Sequence, residues 1–128
     1  MKRIILGLSL VLILVQNGFA LTEAELNRRA LEVLNSTLDC ANAAEKYFTK
    51  ESTLQKCIEA VNVIQKYYEP GLKGSLSQSA FNTGLIYYEV KNNKIKAYEY
   101  WFLAAKYGNK SASKNLSIMC KQDPWACK

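Results

Sequence analysis

The sequence predicts an all-α fold: antiparallel helical hairpins stacked on one another and cross-linked by two disulfides. Three observations carry this. Apolar residues recur at three- and four-residue spacing along most of the chain. The Gly, Pro and Asn clusters that interrupt this pattern fall between the runs, where turns belong. Cys40, Cys57, Cys120 and Cys127 form an even set in a short chain, as a disulfide framework requires.

The first segment is read as an address. MKRIILGLSLVLILVQNGFA places Lys2 and Arg3 before an apolar run from Ile4 to Val15, then Gly18, Phe19 and Ala20. A positive start, an apolar middle and small residues at the end are the marks of a secretory signal peptide, with cleavage expected after Ala20. The run falls short of the roughly 20 residues that span a bilayer, so no membrane span is expected once residues 1–20 are removed. Loss of Lys2 and Arg3, with no acidic residue in that part, takes the formal charge from +6 to +4. The lysines are spread along the chain, which gives a nucleic-acid partner little support.

Residues 21–128 then form one helical domain. Thr22 and Glu25 spell a capping box, after which Ala24, Leu31, Leu34, Leu38 and Ala41 are expected to face the core, with a bend near Asn35-Ser36-Thr37. Ser52 and Gln55 spell a second box. Leu54, Cys57, Ile58, Val61, Ile64 and Tyr68 line one face of the helix that follows, which Glu69-Pro70 stops. Residues 21–69 thus make an N-terminal hairpin turning at Thr49-Lys50-Glu51. Residues 70–79, rich in Gly and Ser, read as a linker.

Beyond it come a helix over about 76–90, the turn Lys91-Asn92-Asn93 and an aromatic helix over about 94–107, all placed by pattern. Ala97, Tyr100, Trp101, Ala104 and Ala105 share one face of the aromatic helix, so its alanines admit a neighbour and its rings fill the grooves beside them. Gly108 supplies a left-handed C-cap. Ile95, Tyr98 and Phe102 widen the apolar arc beyond what one neighbour covers. This helix is therefore sandwiched between two others or keeps a ring-lined stripe for a partner. A last helix runs to about Cys120, and residues 117–128 form a disulfide-closed tail. Three cysteine connectivities are possible. The pairing Cys40–Cys57 and Cys120–Cys127 is expected because each falls within one local unit.

The chemistry is bounded by what the chain lacks. It contains no histidine and no CxxC, so histidine-based triads and bases are excluded and zinc would need four thiolates in an oxidising compartment. Asp39 and Asp123 are the only aspartates, and no glutamate stands in an apolar loop that would mark a general acid. No catalytic residue, cofactor or metal site is assigned, and no enzyme is expected.

Ala80, Gly84, Ile86 and Tyr87, then Lys96-Ala97, Tyr100-Trp101, Ala104-Ala105 and Gly108-Asn109, followed by Ala112, Asn115 and Leu116, carry a resemblance. From 80 to 116 the chain resembles one Sel-one-like repeat, a relative of the tetratricopeptide repeat. It departs from the pattern in the short link of residues 89–94 and in Thr83, where the family has leucine. The resemblance implies stacked helix pairs that receive another protein, with no catalytic residues to carry over. The matching residues are the packing set, so candidates for contacting a partner lie outside it: Tyr67, Tyr68, Tyr88, Lys91, Tyr98 and Phe102. The expected role is a periplasmic or secreted binding protein with one protein partner, in its sharpest form an immunity protein or inhibitor occluding an envelope-targeted toxin or enzyme. The alternatives are an adaptor in an envelope assembly and a small carboxylate-based cell-wall enzyme.

Overall fold

Thr22 opens the first helix as its spacing to Glu25 predicts: its hydroxyl oxygen accepts a hydrogen bond from the Glu25 amide at 3.1 Å. The Glu25 carboxylate does not close the box but turns to Arg28 and Arg29. The computed structural model describes residues 21–128, so the signal peptide expected over 1–20 lies outside the described residues. Among them are five α-helices, α1 (Glu23–Lys46), α2 (Glu51–Lys66), α3 (Lys73–Glu89), α4 (Lys94–Lys106) and α5 (Lys110–Gln122), and no strand. Short 3-10 turns at Pro70–Leu72 and Pro124–Ala126 complete the chain.

The described residues divide into two units, 21–35 and 36–128. In the first, α1 carries ion pairs on its surface: Arg28 bridges Glu25 at 2.7 Å and Glu32 at 3.1 Å, and Arg29 adds Glu25 at 3.1 Å. These guanidinium hydrogen bonds, that of Arg28 first, hold the Glu25 carboxyl at about 2, well below its ordinary value. The register expected for α1 is overturned. Ala24, Leu31, Leu34, Leu38 and Ala41 are exposed, while Leu26, Val33, Cys40 and Ala43 are buried. Both faces of this helix are apolar, so periodicity alone could not choose between them. Cys40 chooses, because Leu26 and Val33 stand at seven-residue spacings from it and share its face. The helix is continuous through Asn35-Ser36-Thr37.

In the second unit, helices that follow in sequence pack in space: α3 on both α2 and α4, and α4 on both α3 and α5. Cys40, Leu54, Cys57, Ala60 and Ile86 form a buried cluster, backed by Ala44, Phe48, Ile58, Tyr87 and Val90. Both disulfides pair as expected, Cys40 with Cys57 and Cys120 with Cys127. The second capping box does not form. Helix α2 begins at Glu51, one residue before Ser52, and its N-cap Lys50 makes no side-chain cap. Thr53 instead anchors the turn by donating its hydroxyl to the Tyr47 carbonyl.

Residues 70–79 are not a linker. Pro70 starts a 3-10 turn and α3 runs from Lys73, with Leu76, Ser77, Ser79 and Ala80 buried. Ser77 and Thr83 tolerate the helix by bonding locally: the Ser77 hydroxyl donates to the Gly74 carbonyl at 3.1 Å, and the Thr83 hydroxyl donates to the Ser79 carbonyl at 2.7 Å. Burial of Leu76 and Ala80 outweighs the poor intrinsic preference of Gly and Ser.

The α3–α4 hairpin turns on Asn92, held at φ 51°, and on Asn93, whose side chain caps the Lys96 amide at 3.0 Å. At the far end of α4, Gly108 at φ 95° forms a Schellman stop, with Asn109 donating to the Ala104 carbonyl and Gly108 to that of Ala105. Asn109 then caps α5 through the Ala112 amide at 2.9 Å. Helix α5 extends past Cys120 to Gln122, and Lys94 reaches across to Asp123 at 2.8 Å to hold the tail.

Candidate functional site

Small residues bring α3 and α4 into close contact, and that decides where the rings of α4 go. A Cβ placed on Gly84 would lie 2.3 Å from Cδ1 of Trp101, so the indole occupies the space a side chain would take. Trp101 is 2% exposed and donates its indole N–H to the Phe81 carbonyl at 3.3 Å. Ala97 and Ala104 beside it are fully buried. Of the residues expected to pack by their spacing, Ala80, Gly84, Ile86, Ala97, Trp101, Ala104 and Ala112 are buried, whereas Tyr87, Tyr100 and Leu116 are half-buried and Lys96 and Gly108 are exposed.

Two neighbours still leave one flank of α4 uncovered. Ile95 is 52% exposed and Phe102 55%, with Tyr98 half-buried between them and its ring 5.8 Å from that of Phe102. The helix is thus sandwiched and also keeps a stripe at the surface.

The six sequence candidates do not converge on one spot. Tyr98 and Phe102 belong to the exposed flank. Tyr88 is half-buried, its ring 5.2 Å from that of Trp101 and 5.9 Å from the Lys94 ammonium, so it seals the hairpin. Lys91 pairs with Glu51 and ties the α3–α4 turn to the start of α2. Tyr67 and Tyr68 sit at the other end of the helices. Tyr67 lies under the Lys66 ammonium at 4.9 Å, and the ring of Tyr68 meets that of Tyr107 at 5.2 Å.

A shallow cleft of about 200 Å³ between α2 and α4 is lined by Val61, Asn62, Gln65, Glu99, Tyr100 and Leu103. Its one carboxylate, Glu99, accepts a hydrogen bond from Lys96 at 3.1 Å, which raises the pKa of Lys96. Burial pushes the Tyr100 hydroxyl up as well, reinforced by Tyr87 stacked at 5.6 Å. Tyr100 therefore stays protonated at neutral pH and offers a hydroxyl rather than a charge. Among the described residues, no group of three or more His, Cys, Asp and Glu is placed to hold a metal ion. What the cleft can do is accept an apolar or hydrogen-bonding side chain from another molecule.

Sequence reasoning missed Tyr107, the lining of the cleft, and the exposed Ile118 and Trp125. By pattern Tyr107 is only the end of the aromatic helix. No local signal shows that it faces Tyr68, 39 residues away in sequence. No protein-family model, curated protein or solved structure matches the chain.

Proposed function

We propose that the chain is an exported, non-catalytic protein-binding module acting in the periplasm or outside the cell, and specifically an immunity protein or inhibitor. It would occlude an envelope-targeted toxin or enzyme with a rigid surface and needs no cofactor. The observation that carries this reading is the flank of α4: Ile95 and Phe102 remain more than half exposed on a helix whose other sides are packed. Exposed rings on a fixed scaffold give contact area at low entropic cost. Two disulfides fit an oxidising compartment, and no helix among the described residues is long and apolar enough to cross a membrane.

The test mixes the mature chain with the purified products of the genes flanking its own and follows complex formation by sedimentation velocity. A one-to-one complex that Ile95→Ser with Phe102→Ala weakens at least about tenfold, as central interface anchors do, is the expected result. Absence of any complex, or a turnover that Glu99→Gln abolishes, overturns the reading.

A further inference from the structure

The lysines that look scattered in sequence are sorted by the fold. Where α3 turns into α4, cations are matched: Lys91 pairs with Glu51 and Lys94 with Asp123. At the opposite end of these helices, Lys66, Lys73 and Lys106 are all exposed, and none forms an ion pair with another described residue. Contacts place them together. Tyr68 and Tyr107 meet ring to ring at 5.2 Å, joining the end of α2 to the end of α4. The Lys106 ammonium lies 5.9 Å from the Tyr107 ring and that of Lys66 4.9 Å from Tyr67. The Lys73 side chain passes Gly108 close enough that an added Cβ would meet its Cε at 3.4 Å. Glu69, in the turn between α2 and α3, is the acidic residue of this stretch.

Resting on the binding role proposed above, we infer that this end of the bundle is where the partner docks, and that it takes an acidic segment of a protein. The argument is one of complementarity. Three unmatched ammonium groups around a tyrosine pair attract carboxylates, while the rings give apolar contact to what lies between them. Phe102 stands one turn before Lys106 on the same face of α4, so the exposed apolar flank leads into the basic end. The cleft between α2 and α4 reaches it as well, through Gln65 and Leu103. The cations are lysines, point charges without the fork that grips a phosphate in two places, which favours dispersed carboxylates over a phosphate group.

The test uses the mature protein and a synthetic peptide of about 12 residues in which Asp and Glu alternate with Leu and Phe, a length that spans several turns of surface. Amide NMR shifts locate binding, and fluorescence anisotropy measures it. Expected are shifts confined to residues 64–75 and to the flank and end of α4 with the turn after it, residues 95–111. Affinity should fall at least about fivefold between about 20 and about 200 mM salt, as unscreened charge requires. The triple variant Lys66→Glu, Lys73→Glu, Lys106→Glu should lose at least about tenfold in affinity, as removal of several complementary charges does. Lys56→Glu, Lys121→Glu, Lys128→Glu, with the same change in net charge, should bind the peptide normally. Equal loss in both triple variants, or shifts elsewhere on the surface, overturns the inference. So does binding to phosphatidylglycerol vesicles with none to the peptide. If the gene-neighbour complex forms but survives the first triple variant, this inference fails alone and the binding role stands.

Discussion

At Gly84 a single missing carbon sets the spacing of the α3–α4 hairpin. Replacing glycine by alanine inside a helix ordinarily helps by about 1 kcal/mol. Here the new methyl would overlap the Trp101 indole at 2.3 Å, and that ring is fixed by its bond to the Phe81 carbonyl. Overpacking wins, and Gly84→Ala should cost about 1–3 kcal/mol in urea denaturation. Gly74, in the first turn of the same helix, supplies the control: an added Cβ there meets nothing within 4 Å. Gly74→Ala should be neutral or stabilising by up to about 1 kcal/mol. The contrast between the two is the content of the prediction, since equal effects would mean that the indole does not fill the place of the missing side chain.

Among the elements, the two bridges brace the ends of the second unit, and each has a measurable consequence. Cys40–Cys57 closes a loop of 17 residues between α1 and α2. Replacing both cysteines by alanine should lower stability by about 3 kcal/mol, from the freedom restored to the unfolded chain. A loss well below about 1 kcal/mol would show that packing of the Leu54–Ile86 cluster alone holds α2. The tail is held twice, by Cys120–Cys127 and by Lys94 with Asp123. The Lys94 hydrogen bond keeps the Asp123 carboxyl below its ordinary range, and the same bond raises Lys94. A depressed carboxylate contributes above its ordinary pKa of about 4 and loses that contribution as pH falls through its folded value. A raised lysine contributes below about 10.4 and loses it as pH climbs through its own folded value. The pair therefore holds across the neutral range and loosens at both extremes. An NMR titration of the Asp123 carboxyl should give a midpoint below that of a free aspartate, and Lys94→Gln should return it toward the ordinary value. An unmoved midpoint would rule the contact out.

Across the whole molecule, the parts of the fold legible in the sequence are those written locally. Apolar spacing places α2 and α4, the Asn92-Asn93 turn and Gly108 mark the two ends of α4, and the cysteines pair within their neighbourhoods. What failed has physical reasons. Helix α1 has apolar residues on two faces, and only the demand that Cys40 meet Cys57 decides its rotation. Residues 70–79 have the composition of a linker, yet Leu76 and Ala80 find a core there, which no composition reports. The site was half legible. Tyr68 and Phe102 could be named as rings at the surface, but the gathering of Lys66, Lys73 and Lys106 needs antiparallel packing to bring distant positions together.

The order of the cysteines carries a last implication. The first joins the second and the third joins the fourth, with the α3–α4 hairpin between the two bridges and crossed by neither. Under the export proposed above, a chain that emerges amino end first could close the Cys40–Cys57 crosslink before Cys120 and Cys127 arrive. Pairing of consecutive cysteines is the pattern that oxidation of neighbouring thiols makes without crossed pairs.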